Sequence, residues 1–157
     1  MKTISVNCVA NVSVEEAWKK MRDLGKPHFY VPGLTGAEIT SIQKEGVGTS
    51  RRVYSDRAPL IETVTAWDEG RGFTLKLHSD SGDGIPPLFK NASFQYALEP
   101  VSEFETKLIN CMQFEMKWGI FGDLLYKIIM KSMHQMQKKI VISQKKYYET
   151  GKAQKIS

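Results

Sequence analysis

Two side chains in the middle of the chain, Glu62 and His78, have the chemistry of an acid and a base. Glu62 alternates with Val64 and Ala66 in the apolar run 60–67, so we expect it to face the interior. A carboxylate there must be paired or hydrogen-bonded, so it either contacts a ligand or forms an ion pair, unless the strand leaves it exposed to solvent. His78 ends the next run and is the best-placed histidine for proton transfer, the alternative being a histidine at the rim or surface.

Three further polar side chains belong to the same predicted site. Arg52 and Tyr54 share one face of the preceding run, 50–55, and are the expected partners of Glu62. Asn110 lies among apolar residues in the alternating run 105–118. A buried amide without partners costs about 1–3 kcal/mol, so Asn110 either bonds a neighbour or trapped water, or orients a ligand.

Apolar side chains that alternate along the later runs supply the expected lining of a pocket. The alternation in 105–118 assigns Leu108, Asn110, Met112, Phe114, Met116 and Trp118 to the inner face. Methionine is flexible and suits an adaptable wall, although these residues equally suit a packed core. The predicted lining from the strands is Leu75, Leu77, Phe94, Tyr96, Met112 and Phe114.

Composition and spacing argue against several other functions. Cys8 and Cys111 lack CxxC spacing, so we expect no metal site, no cofactor, and free thiols in the cytoplasm. No apolar run is long enough for stable membrane insertion. The net charge of +5 comes largely from lysines on the last helix, which predicts a solvated face and no nucleic-acid partner. The alternative interpretation of that face is binding to a protein or to anionic lipid.

The elements that must position these residues follow from hydrophobic periodicity. A strand at 2–11 precedes a helix at 14–24, for which Ser13 and Glu16 form a capping box, and a short helical turn at 28–31. Six strands follow at 37–44, 50–55, 60–67, 73–78, 92–99 and 105–118, with short turns typical of an antiparallel meander. The segment 79–90 contains Gly82, Gly84, Pro86 and Pro87, and a hinged lid is expected there.

A long amphipathic helix at 118–151 closes the chain, with Gly151 as its stop signal. Its apolar residues are Phe121, Leu124, Leu125, Ile128, Ile129, Met133, Met136, Ile140 and Tyr147. We expect the first half, 121–133, to form one wall of the pocket through Phe121, Leu125 and Ile129. The chain is thus predicted to be one α+β domain, 1–157, in which a curved antiparallel sheet of seven strands wraps the long helix and two short helices follow strand 1.

This order of elements resembles the START-like, or SRPBCC, superfamily, whose helix-grip fold includes proteins of the polyketide cyclase/dehydrase and lipid transport type. The segment VSVEEAW resembles the start of the family's first helix. GVGTSRRV resembles a family turn and strand through Gly46, Gly48 and Arg51, and LIETVTAWD resembles another through Glu62 and Asp68. GIFGDLLYKII and KKYYETG resemble the two ends of the last helix.

The resemblance implies a cavity between sheet and helix that takes a small apolar or amphipathic molecule such as a lipid, a sterol or a polyketide. It also implies that Glu62 lines this cavity, as the matching glutamate does in plant abscisic-acid receptors. Because the superfamily contains both carriers and enzymes, the fold leaves two main functions open. One is binding or carriage of such a ligand, and the other is a cyclase or dehydrase that uses one acid or base in the pocket.

Overall fold

The computed structural model describes residues 1–78 and 88–155. Its strands are β1 (Lys2–Ala10), β2 (Gly36–Ile39), β3 (Ser50–Tyr54), β4 (Leu60–Asp68), β5 (Gly72–His78), β6 (Phe89–Ser102) and β7 (Glu105–Met116). Its helices are α1 (Val14–Met21), a 3-10 turn (Pro27–Phe29) and α2 (Gly119–Thr150). The predicted lid lies largely outside the described residues, and its last two positions, 89 and 90, belong to β6.

The strands form one antiparallel sheet in the order β1-β7-β6-β5-β4-β3-β2, which confirms the predicted α+β architecture. β2 to β7 are a meander, but β1 pairs with β7 and not with β2. The chain crosses from one edge of the sheet to the other through α1 and the 3-10 turn. β2 is shorter than predicted because Ser41 turns the chain, donating to the carbonyl of Gln43 at 2.6 Å and accepting from the amide of Ser50 at 3.0 Å.

The two principal helices begin and end largely where local chemistry predicts. The Ser13 hydroxyl accepts a bond from the Glu16 amide at 3.3 Å and caps α1. At the far end of α2, Gly151 adopts a left-handed conformation with φ 70° and donates to the Tyr147 carbonyl at 2.7 Å. The 32 residues of α2 span about 48 Å, and among the strands the helix packs mainly against β1 and β7.

The first turn of α2 packs closely against the end of β7. A Cβ at Gly122 would lie 2.2 Å from the Lys117 carbonyl oxygen, so only glycine permits this approach. The chain reverses at Trp118, whose φ of 69° is left-handed, and the Trp118 side chain points to solvent. The expectation that Trp118 continues the inner face of β7 is therefore wrong.

Two apolar clusters line the space between the sheet and the helices. The first joins β1 and β5–β7 to α1 and the second half of α2, through residues such as Trp18, Tyr96, Leu108 and Ile140. The second lies beside the first half of α2 and contains Ile4, Leu77, Phe89, Ala92, Met112 and Phe114. Several buried polar side chains lie on the inner face of the same sheet, and they form the candidate site.

Candidate functional site

An ion pair between Arg51 and Glu62 is buried on the inner face of the sheet. The two residues are direct neighbours across β3 and β4, and they are only 3% and 8% exposed. Arg51 Nε donates to Glu62 Oε2 at 2.6 Å, and Nη1 donates to the carbonyl of Leu24 at 3.0 Å. Glu62 therefore faces inward, and its carboxylate is already bound by a guanidinium.

The expected partners of Glu62, Arg52 and Tyr54, lie on the opposite face of the sheet. Successive side chains of a strand point to opposite sides, and Arg51 and Val53 take the inner side of β3. The Tyr54 hydroxyl donates to Glu38 Oε2 at 3.1 Å in an exposed position. The prediction that Arg52 and Tyr54 pair with Glu62 is wrong by one residue of register.

His78 also lies on the outer face, away from Glu62. Its Nε2 is 2.6 Å from Thr63 Oγ1, which is in turn 2.6 Å from the hydroxyl of Ser50. These hydrogen bonds form a short chain across β3, β4 and β5. Glu62 and His78 therefore cannot act on one substrate group, and the expectation of His78 as an acid or base of the pocket is corrected.

Asn110 lies on the inner face near the middle of β7 and is 2% exposed. Its direct neighbours across the sheet are Val6 on β1 and Tyr96 on β6. Within residues 1–78 and 88–155, neither Nδ2 nor Oδ1 of the amide has a hydrogen-bond partner. The hydrogen bond from Asn110 to a neighbouring side chain, which the sequence left open, is therefore not formed within this part of the protein.

Three buried tyrosines, Tyr30, Tyr96 and Tyr148, belong to the first cluster, and Tyr96 is the neighbour of Asn110 on β6. The Tyr30 ring centroid is 6.2 Å from that of Tyr96 and 6.0 Å from that of Tyr148. Burial raises the pKa of Tyr30 to about 12 and raises the pKa values of Tyr96 and Tyr148 well above 10. Their hydroxyls are therefore protonated at neutral pH and can donate hydrogen bonds. The charges of Arg51 and Glu62 also act on the pKa values of Tyr30 and Tyr96. The ion pair and these two tyrosines are therefore electrostatically coupled.

The hydroxyls of these tyrosines differ in their partners. Tyr148 accepts a bond from Gln144 Nε2 at 2.9 Å, and Gln144 is itself fully buried. In the described part of the chain, no hydrogen bond is formed by the hydroxyl of Tyr30 or Tyr96. Sequence reasoning missed Arg51, Tyr30, Gln144 and Tyr148. Two of them had a usable signal: Arg51 matches the family motif in GVGTSRRV, and Tyr148 follows Tyr147 on the buried side of α2.

The predicted strand lining is brought together on the inner face. Leu75 and Tyr96 belong to the first cluster and Leu77, Met112 and Phe114 to the second, while Phe94 is half-buried and touches both. Gln137 of α2 reaches the sheet here, with its Nε2 3.8 Å from the sulfur of Met112. A cavity along this lining stays a prediction.

The predicted helix lining is only partly placed against the sheet. Leu125 and Ile129 are half-buried, but Phe121 is 78% exposed, so the expectation that it faces the sheet is wrong. α2 instead presents Gly122, Tyr126 and Met133 to β1 and β7. Lys2 contacts α2 in this orientation, with its Nζ 2.8 Å from Asp123 Oδ1 and 4.9 Å from the centroid of the Tyr126 ring.

The described residues also bear on a metal site and on a membrane span. Among residues 1–78 and 88–155, no three His, Cys, Asp or Glu side chains are grouped closely enough to hold a metal ion. In the same part of the chain, α1 and α2 both fall short of the apolar length needed to span a bilayer.

Comparisons with solved structures show the same fold at low sequence identity. The chain is similar to the Zhui aromatase/cyclase from Streptomyces sp. R1128, with 12% identity, a TM-score of 0.75 and coverage of 94% of this chain and 93% of that one. It is also similar to a START superfamily protein from Mycobacterium smegmatis, with 15% identity, a TM-score of 0.67 and coverage of 92% and 97%. These likenesses establish a helix-grip fold. No curated protein sequence matches the chain.

The family is established by the sequence itself. A family model described as polyketide cyclase / dehydrase and lipid transport matches residues 1–141, which include the whole sheet and the first two-thirds of α2. The expected resemblance to START-like proteins is thereby confirmed. The chain belongs to the polyketide cyclase / dehydrase and lipid transport family.

Proposed function

We propose that the protein binds a small amphipathic molecule between the inner face of the sheet and α2. The single observation that carries this proposal is the Asn110 amide, which is 2% exposed and has no partner for either polar atom within the described residues. Leaving such a group unsatisfied costs about 1–3 kcal/mol, so it is retained at a cost that a ligand can offset. Unsatisfied buried polar groups in otherwise well-formed interiors call for this kind of explanation.

The chemistry around Asn110 suggests what the polar end of the ligand contains. The amide offers one donor group and one acceptor, and the protonated hydroxyls of Tyr30 and Tyr96 add donors. A carbonyl next to a hydroxyl, as in a keto-enol or a hydroxy acid, satisfies both sides of the amide and accepts from a tyrosine. The Glu62 carboxylate is bound by Arg51, so in this proposal it shapes the site and does not bind the ligand directly.

The apolar body of the ligand would lie against the second cluster. Met112 and Phe94 are the next inward-facing positions beside Asn110 and Tyr96 on β7 and β6. Half-buried Met133 and Leu125 are on the adjoining side of α2. Methionine adapts to irregular shapes, which suits a binding surface for fatty acids, sterols or aromatic polyketides.

Ligand binding by matched variants tests the proposal. The wild type is tested with a fatty acid, a sterol and an aromatic polyketide. We expect at least one of these ligands to raise its melting temperature. Asn110→Leu should raise the dissociation constant of that ligand by about 5- to 150-fold. This factor corresponds to the free energy lost when one buried hydrogen-bonding group is removed. Asn7→Leu makes the same change on the exposed face of β1 and should leave binding unchanged. The proposal fails if no ligand shifts the melting temperature, or if Asn110→Leu binds as tightly as the wild type.

A second candidate function is a cyclase or dehydrase, and the buried tyrosines favour it. A protonated hydroxyl aimed at a carbonyl stabilises the developing enolate, which is the step that cyclisation and dehydration of polyketides share. The similarity to an aromatase/cyclase supports the same class. We expect Tyr96→Phe to lower kcat for a linear poly-β-ketone by about 100-fold or more. Unchanged turnover in both Tyr96→Phe and Tyr30→Phe would remove this candidate.

A cytoplasmic location is consistent with the thiols. Cys8 and Cys111 are both free, and burial raises the pKa of each, which lowers their reactivity. Both should be alkylated when the protein is denatured directly from cells without a reductant. A protected pair would contradict the proposed location.

A further inference from the structure

The outward face of the first three turns of α2 is apolar. Its large side chains are between 60% and 87% exposed, and we call them the α2 apolar patch: Trp118, Ile120, Phe121, Leu124 and Ile128. Isolated exposed apolar residues are common on protein surfaces and need no explanation. Four such side chains on one helix face, with the indole of Trp118 immediately before the helix, are different, because contiguous apolar surface marks an interaction site.

The patch is a consequence of how α2 is seated, since both sides of this half of the helix are apolar. Positions 120, 124 and 128 recur every four residues and lie one above the other on the same side. Gly122, Tyr126 and Met133 take the opposite side and pack on the sheet. Lys2 contacts Asp123 and Tyr126 in this orientation. The patch therefore takes no part in packing against the sheet and is available to a partner.

The charge around the patch is positive. Lys117, Lys127 and Lys131 are exposed at its borders. Asp123, the acidic residue within these turns, is paired with Lys2. The outward face continues along α2 with further exposed cations, Lys138, Lys139 and Lys146. A second copy of the chain would bring these like charges together, whereas an anionic surface would be attracted to them.

We propose that the α2 apolar patch docks the protein on the surface of an anionic phospholipid bilayer. Exposed Trp, Phe, Ile and Leu on one helix face insert at the boundary between headgroups and acyl chains, and flanking lysines reach the headgroups. The two halves of the face then act together, the apolar half by insertion and the cationic half by attraction to lipid phosphate. This docking is peripheral, does not depend on the proposed ligand, and brings the start of α2 to the bilayer.

Vesicle sedimentation tests the docking. Vesicles of phosphatidylcholine alone are compared with vesicles of phosphatidylcholine and phosphatidylglycerol in equal parts, at low and high salt. We expect the wild type to sediment with the anionic vesicles and to be released by salt. The triple variant Phe121→Ser/Leu124→Ser/Ile128→Ser should bind at least about tenfold more weakly, because it loses the inserting side chains. Since these side chains are exposed, its thermal unfolding should match that of the wild type.

Matched variants distinguish binding through the patch from non-specific binding by other exposed apolar residues or lysines. Ile42→Ser/Val47→Ser/Phe104→Ser removes three equally exposed apolar residues from loops elsewhere and should leave vesicle binding unchanged. Lys117→Gln/Lys127→Gln/Lys131→Gln should remove most of the salt-sensitive part of binding, while Lys19→Gln/Lys44→Gln/Lys76→Gln should not. The proposal is overturned if the wild type binds neither vesicle or if the patch variant binds as well as the wild type. It is equally overturned if sedimentation equilibrium shows a dimer that the patch variant abolishes while vesicles bind neither protein.

Discussion

Arg51 and Asn110 lie on the same face of the same sheet and are almost equally buried, yet their surroundings differ completely. Arg51 has a carboxylate directly opposite it on β4 and a backbone carbonyl beyond. Asn110 has an aliphatic side chain on one side, a tyrosine ring on the other, and no bond to its amide within the described residues. A buried polar group that is fully paired contributes to the integrity of the native state. One that is left unpaired costs stability, and its retention points to function.

The largest effect is expected where the paired group is broken. Arg51→Met leaves Glu62 as an uncompensated buried charge, so the free energy of unfolding should fall by about 3–5 kcal/mol, measured by urea denaturation. The double variant Arg51→Met/Glu62→Leu removes both charges and should recover much of this loss. If the single variant is as stable as the wild type, the pair is not structural and the contrast with Asn110 disappears.

An effect of opposite sign is expected at the unpaired group. Asn110→Leu replaces an unsatisfied amide with an apolar side chain of similar size, so the free energy of unfolding should rise by about 1 kcal/mol. Asn7→Leu, on the exposed face of β1, should leave it nearly unchanged. A marked loss of stability in Asn110→Leu would mean that the amide is satisfied in solution, and it would remove the argument for a ligand.

The smallest effect concerns His28, whose Nδ1 is also buried without a partner in the described part of the chain. Burial, and to a lesser degree the charge of Lys26, lowers the pKa of His28 below 6.5. The unfolded state then binds the proton more readily, so stability from the neutral ring is complete above pH 6.5 and is lost as the pH falls below it. Melting temperatures from about pH 7.5 to about pH 5.5 should fall more steeply for the wild type than for His28→Gln. Identical slopes would contradict this role.

Much of the fold could be predicted from the sequence, because period-2 alternation and turn residues mark the strands clearly. The same alternation gave the inward direction of Glu62 and Asn110. The partner of Glu62 could not be identified because β3 contains two adjacent arginines, and only one of them points inward. A shift of one residue in the register of β3 exchanges the two. Ala66 was placed inward for a similar reason, as a bulge between Val64 and Ala66 reverses the alternation.

The orientation of α2 could not be obtained from periodicity. In its first half, apolar residues occupy both the side that packs on the sheet and the side that faces solvent. A hydrophobic pattern indicates a buried face only where the other face is polar, as in the second half of the helix. The close approach of Gly122 to the end of β7 distinguishes the two sides, and this contact depends on tertiary structure.

The pairing of β1 with β7 has a consequence for how the protein is made. Each residue of β1 meets a partner about a hundred residues later in the chain, and Cys8 reaches α2 at the carbonyl of Val141. During synthesis, β1 emerges about a hundred residues before β7 and still further ahead of the helix that covers it. Until these later segments have been released, β1 presents an open edge that nascent-chain chaperones would have to shield.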